Sequence, residues 1–156
     1  MLHIFVDADA CPTKQEVYRV ACRYGLGVTL VANSWMRVPR EKWLTLEVVG
    51  GGFDEADDWI VEHVKPHDIV ITADIPLASR CLKVGAHVIG PTGKPLRADN
   101  IGQTVATRDL MAELRSAGAI TGGPPPLTQA DRSRLLQELD KAIQSIRRQH
   151  PSGSTV

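Results

Sequence analysis

Asp7 and Asp9 stand one residue apart at the end of the apolar run Ile4-Phe5-Val6. Two carboxylates this close repel each other unless a cation or a proton sits between them. The chemistry this pattern suits is the binding of a hard divalent cation, Mg2+ or Mn2+, which prefers carboxylate and water oxygens. Further acids occupy similar positions. Asp74 follows Ile69-Val70-Ile71-Thr72, Asp54, Asp57 and Asp58 follow the triplet Gly50-Gly51-Gly52, and Asp99 precedes a later helix. An Asp at a helix start caps the helix and complements its dipole, and that reading is favoured for Asp54 and Asp99. For Asp7 and Asp74 a ligand role is favoured, because both end buried strands expected side by side at one sheet edge. A cluster of three or four Asp would hold a cation while leaving room for water and a phosphate oxygen. Two ions about 3.5–4 Å apart would activate the water and stabilise the leaving oxygen of an in-line displacement.

Other residues could serve such a site. The loop 33–43 interleaves Asn33, Trp35, Arg37, Arg40, Lys42 and Trp43, so a Trp could stack a base while Arg37 reaches a phosphate. The alternative is a surface loop whose tryptophans pack on the sheet. Arg108 is a second candidate phosphate ligand, or an intrahelical partner for a nearby acid. Thr72 is placed to hydrogen-bond an Asp or a bound phosphate. Asn33, Arg37, Thr72 and Arg108 are thus the expected substrate-binding residues. The glycine triplet has no Gly-Lys-Ser/Thr after it and is not a nucleotide P-loop. Cys11 sits at a helix start, which lowers a thiol pKa, beside carboxylates that raise it. The five histidines form no metal motif.

The elements that must position these residues alternate. Strands are expected at residues 2–6, 28–32, 44–49, 68–72 and 86–89. Helices are expected from Pro12 to about Tyr24, after Asp54 to Pro66, from Pro76 through Lys83, from about Asp99 to Ser116, and after Thr128. Pro12 suits a first helical position, and Thr128 with Asp131 caps the last helix. Nearly uninterrupted apolar strands separated by helices imply a parallel sheet covered on both faces. The fold class expected is therefore α/β, a three-layer α/β/α with a central mainly parallel sheet and a C-terminal helical extension. An α/β domain is expected over 1–120. A Gly/Pro linker and C-terminal helix packed on it would span 121–149, and a disordered tail 150–156. The stripe Leu135, Leu136, Leu139, Ile143 and Ile146 of that helix suits packing on the domain or on a second copy, a homodimer.

The chain has 156 residues, 43% of them hydrophobic and 23% charged, with 18 Lys plus Arg against 18 Asp plus Glu. That is ordinary globular composition, and zero net charge argues against a uniformly basic nucleic-acid coat. Three scattered cysteines make no disulfide framework. An acid at position 7 comes too early for a signal sequence, and no apolar run approaches the roughly 20 residues of a membrane span. A cytoplasmic location and no membrane partner are expected.

Taken together, the segments Val6-Asp7-Ala8-Asp9-Ala10-Cys11-Pro12, Val31-Ala32-Asn33, Gly52-Phe53-Asp54-Glu55-Ala56-Asp57 and Ile71-Thr72-Ala73-Asp74-Ile75-Pro76-Leu77-Ala78 resemble the YaiI/YqxD family of bacterial proteins. Thr121-Gly122-Gly123-Pro124 with Asp131-Arg132 resembles its C-terminal signature, so the resemblance covers essentially the whole chain. That family is regarded as PIN-domain-like, which implies a three-layer α/β fold and metal-dependent nuclease activity. On this analogy Asp7, Asp57 and Asp74 form the acidic core, with Asp9 as an added ligand or water-positioning carboxylate. Asp58 faces another side of its helix, and Asp99 stands in for the last acid of a PIN site. The leading expectation is hydrolysis of phosphodiesters, RNA being the expected partner, with Asp7, Asp9, Asp57 and Asp74 as catalytic and metal-binding residues. Two alternatives stay open. One is a haloacid-dehalogenase-like phosphatase with Asp7 as nucleophile, Asp9 as acid/base, and Thr72 with Lys83 or Lys94 completing its motifs, though no late acidic pair is present. The other is a non-catalytic RNA-binding or regulatory module.

Overall fold

Apolar runs too short for helices form strands buried on both faces. In the computed structural model, which describes residues 2–50, 55–101 and 127–149, these strands are β1 (His3–Asp7), β2 (Gly27–Ala32), β3 (Leu44–Val48), β4 (Ile69–Ile71), β5 (His87–Ile89) and β6 (Pro95–Leu96). They make one sheet in the order β3-β2-β1-β4-β5-β6. All neighbours are parallel except the β5–β6 pair at the edge. Four helices lie among the described residues: α1 (Lys14–Tyr24), α2 (Glu55–His63), α3 (Ile75–Val84) and α4 (Gln129–Gln149).

The pleat sorts the strand residues between two cores. Ile4, Val6, Val28, Leu30, Ile69 and Ile71 face a cluster that includes Val17 and Val20 of α1 and Leu135, Leu139 and Ile143 of α4. Phe5, Val31, Val70 and Val88 face Ile60 of α2 and Leu77 and Ala78 of α3. The result is three layers, with α1 and α4 on one face and α2 and α3 on the other. Leu135, Leu139 and Ile143 are fully buried, and each burial contributes about 1.5–3 kcal/mol. The apolar stripe of α4 is therefore covered inside the chain.

Several boundaries differ from the sequence reading for local reasons. Asp7 leads into a 3-10 turn, Ala8–Ala10, and α1 begins only at Lys14 with Thr13 as its N-cap. Pro12 thus lies in the turn before the helix, and the Thr13 hydroxyl donates to the Pro91 carbonyl at 2.6 Å rather than capping its own helix. α3 begins one residue earlier than expected, so Pro76 is second in the helix and Asp74 is the cap. β6 has no counterpart among the expected strands, because two residues starting with proline carry no strand periodicity and are held only by pairing with β5. For α4 the reciprocal cap is present: Thr128 N–H donates to Asp131 Oδ2 and Asp131 N–H to Thr128 Oγ1, at 3.0 and 3.1 Å.

α1 and α4 lie alongside each other in the same direction. Arg132 near the start of α4 meets Glu16 near the start of α1 at 2.8 Å. Arg147 near its end donates to the Tyr24 carbonyl, also at 2.8 Å. The turn after β5 is wedged against α4. At Gly93, with φ of +94°, a Cβ would fall 2.6 Å from the Arg134 and Leu135 backbone.

The candidate acidic site at the switch point

Chain order and sheet order reverse between β1 and β4. From β1 the chain crosses through α1 to β2 on one side, and from β4 through α3 to β5 on the other, along opposite faces. Such a reversal opens a crevice at the carboxyl ends of the two central strands, where ligands bind in open α/β sheets. The register pairs Val6 with Ile71, so the next residues, Asp7 and Thr72, emerge side by side.

Thr72 ties the two strand ends together. Its hydroxyl donates to Asp7 Oδ2 at 2.9 Å and accepts from the Asp74 N–H at 3.0 Å. Because the hydroxyl has one proton and gives it to Asp7, the buried Thr72 orders the acids. Asp74 Oδ1 accepts from the Leu77 N–H at 2.9 Å as the N-cap of α3. Asp9, on the 3-10 turn, is exposed, and its Oδ2 accepts from the Asn33 N–H at 2.8 Å. The β1–β2 register, with Asp7 opposite Val31, brings the end of β2 within reach of that turn. Each of the three carboxylates is thus fixed through one oxygen by a neutral donor. Among the described residues no donor reaches the other oxygen.

The electrostatics follow from that arrangement. Burial pushes the Asp7 carboxyl above its ordinary range, the Thr72 hydrogen bond opposes this, and the charges of Asp74 and then Asp9 push it up further. Asp7, Asp9 and Asp74 therefore share one field. The charge of Asp57 acts on Cys81 of α3, and its neighbour Asp58 pairs with Arg80 at 2.8 Å. Asp99 is exposed and pairs with Arg97 at 3.5 Å, as an ordinary surface ion pair would. Among the described residues no three His, Cys, Asp or Glu side chains converge into a ready-made metal cage.

The other expected site residues divide. Asn33 contributes its backbone N–H to Asp9, and its side chain is exposed. Arg37 is exposed on the loop after β2. Asp54 and Arg108 lie outside the described residues, as do Gly51, Gly52, the expected helix beyond residue 101, the Gly/Pro linker 122–126 and the tail. Cys11 is buried, and that burial raises its thiol pKa ahead of the lowering by Thr13 and Lys14, which leaves it a poor nucleophile. The Lys14 ammonium donates to the Cys11 carbonyl at 2.7 Å.

One pairing beside the site goes beyond the sequence reading. Glu16 is buried against Arg132, and its second oxygen, Oε2, has no partner among the described residues. The sequence does carry a signal for it, since Glu16 sits four residues before Val20 on the apolar side of α1. A charge inside an apolar stripe asks for a buried counter-charge. Its partner, on a distant helix, could not be chosen from spacing.

A family model described as "Uncharacterized BCR, YaiI/YqxD family" matches residues 5–145 of the chain. Among similar proteins is a "UPF0178 protein" of Rhodopseudomonas palustris strain HaA2, 56% identical over 149 residues, covering 96% of this chain and 91% of the relative. Another, from Bradyrhizobium sp. strain ORS 278, is 55% identical over 146 residues and covers 94% and 89%. A third, from Paramagnetospirillum magneticum strain AMB-1, is 52% identical over 151 residues and covers 97% and 100%.

Proposed function

The chain belongs to the YaiI/YqxD family, and from that premise we propose that the switch-point acids form a divalent-cation-dependent phosphodiesterase site acting on nucleic acid. The observation that carries the reading is the pairing of Asp7 and Asp74 through one buried threonine at the reversal of the sheet, with the charge of Asp74 acting on Asp7. Structural caps have no need to be brought to within each other's field. Like charges held together by a fixed frame are relieved by a cation.

The donor set fits Mg2+ or Mn2+. All the donors are hard carboxylate oxygens, and Mg2+ is commonly held by one or two carboxylates, completed by waters and substrate phosphate rather than by a protein cage. Asp7 and Asp74 would hold it through the oxygens that Thr72 and Leu77 leave uncommitted. When bound, the cation supplies Lewis-acid stabilisation of a phosphoryl oxygen and a more acidic water. The chain's own residues supply the rest. Thr72 fixes the Asp7 carboxylate, Asn33 N–H fixes Asp9, and Asp9, exposed on its turn, would position water or take a proton from it. The neighbouring helix N-terminus of α3 favours negative charge at the same edge.

The test is hydrolysis of labelled RNA by purified protein with manganese, against the same protein carrying Asp74→Asn or treated with EDTA. Loss of cleavage in both, with the fold retained, is the expected result. Cleavage that persists in either overturns the reading. Phosphate release from a monoester, with trapping by fluoroberyllate at Asp7, would replace it with the phosphatase.

A further inference from the structure

The connection from β2 to β3 carries no helix, although the two strands are parallel and the chain must cross from the carboxyl edge to the amino edge. It does so over residues 33–43 with bends at Asn33 and Ser34 and a turn at Lys42 and Trp43, on the same face as α1. Met36, Val38 and Trp43 turn in against the core cluster that holds Val17 and Val20. Trp35 and Arg37, on either side of Met36, are exposed, Trp35 at 74%. Where a helix would ordinarily lie beside α1, there is a groove of about 450 Å³ lined by Gln15, Tyr18, Arg19, Cys22, Arg23 and Trp43. Its floor is fixed by the edge-on packing of Tyr18 and Trp43, ring centres 6.0 Å apart.

Two arginines of α1, Arg19 and Arg23, line the groove, and the crossing loop that supplies Trp43 to it carries further cations. Arg19 on α1 and Arg37, Arg40 and Lys42 on the crossing loop are all exposed. None of the four has an ion pair among the described residues. Arg23 pairs at 3.5 Å with the half-buried Asp140. Glu41 is the exposed acid within the loop. One end of this face opens at the acids, since the loop begins with Asn33 bonded to Asp9 and the groove begins in the first turn of α1. A chain with neutral net charge has thus placed uncommitted cations and an exposed indole on one face, leading to its acidic crevice.

We propose that the groove between α1 and the 33–43 crossing is the track for a single-stranded nucleic acid entering the acidic site. A single strand presents both features the face complements: phosphates at spacing that flexible arginines can follow, and an unstacked base for Trp35. A duplex keeps its bases stacked and offers the indole nothing. The inference deepens the phosphodiesterase reading and rests on it for what happens at the acids, but binding can be measured without turnover.

The experiment uses the full chain carrying Asp74→Asn in EDTA, with fluorescence anisotropy of labelled 12-nucleotide single-stranded RNA, single-stranded DNA and a duplex of equal length. Binding of a single strand in preference to duplex is expected, and the RNA and DNA arms identify which sugar is taken. Arg19→Gln with Arg23→Gln should weaken single-strand binding by at least tenfold and flatten the salt dependence. The slope of log affinity against log salt should fall by about 1.4, from roughly 0.7 for each phosphate that the two arginines no longer neutralise. Trp35→Ala should weaken it about fivefold or more without changing that slope. No single-strand binding, or binding that the three substitutions leave unchanged, overturns the proposal. Groove-dependent binding without any metal-dependent cleavage by the unsubstituted protein would leave the proposal standing and remove the phosphodiesterase reading alone. Metal-dependent cleavage with groove-independent binding would do the reverse.

Discussion

Asp74 has two separable duties, and substituting it two ways tells them apart. As the N-cap of α3 it accepts from Leu77 N–H, and as a charge it acts on Asp7. Asp74→Asn keeps a capping oxygen and removes the charge, whereas Asp74→Ala removes both. Asn caps about as well as Asp, while Ala costs about 1 kcal/mol. At this chain length that corresponds to a drop of about 2–4 °C in Tm. The charge itself favours the helix start by about 0.3–1 kcal/mol, and loss of the repulsion with Asp7 offsets this. Asp74→Asn should therefore melt within about 2 °C of the unsubstituted protein, and Asp74→Ala clearly below it. The second readout is the Asp7 carboxyl, followed by carbon NMR across pH in EDTA. Asp74→Asn should lower its pKa, Asp9→Asn should lower it less, and Thr72→Val should raise it, following the order of causes at that carboxyl. The linkage has a definite sign. Asp7 titrates above its ordinary 3.8 in the fold, so its favourable contribution is complete below 3.8 and is lost as pH rises through the folded value. The stability of Asp74→Asn relative to the parent should accordingly improve as pH rises through that window. Equal melting of the Asn and Ala variants, or an Asp7 titration unmoved by Asp74→Asn, refutes the shared-field site.

Other expected outcomes concern the frame that holds the site. Leu139→Ala, at a fully buried position facing α1 and the sheet, should cost about 2–5 kcal/mol in denaturant melts; a loss under about 1 kcal/mol would mean α4 is not part of the core. Gly93→Ala places a methyl on a left-handed backbone against α4 and should lower Tm by several degrees, where Gly90→Ala, 3.5 Å from its nearest neighbour, lowers it less. Arg132→Met leaves Glu16 buried without its partner. Arg132 is 39% exposed, so solvent screening reduces the cost to about 1–3 kcal/mol. Adding Glu16→Gln should recover much of it, and additive losses in that cycle would show the pair is uncoupled.

The crevice was legible in outline because each of its parts is local. An apolar run that stops at an Asp, and another that stops at Thr-Ala-Asp before a proline, announce two strand ends and a helix start, while the cap that Asp74 makes came only with the fold. Parallel strands then place those ends on one edge. The reach of each acid was not local. Asp57 has the residue type and helix position of a cluster member, and its charge acts on Cys81 of α3, a neighbour that spacing does not name. That neighbourhood comes from α2 packing against α3, which no periodicity encodes. Thr72 was open between an acid and a phosphate until the register of β1 on β4 put its hydroxyl 2.9 Å from Asp7.

The sequence by itself determined the alternation of strands and helices, the parallel sheet, and the identity of Asp7 and Asp74 as the acids that follow its two central strands. These follow from hydrophobic period, caps and breakers acting over a few residues. Only the tertiary structure decided that α4 lies beside α1 as a layer of the same core, that β6 exists, and that the 33–43 crossing leaves a groove where a helix would lie. Those outcomes depend on which distant surfaces fit together, and packing of that kind is a property of the whole sheet.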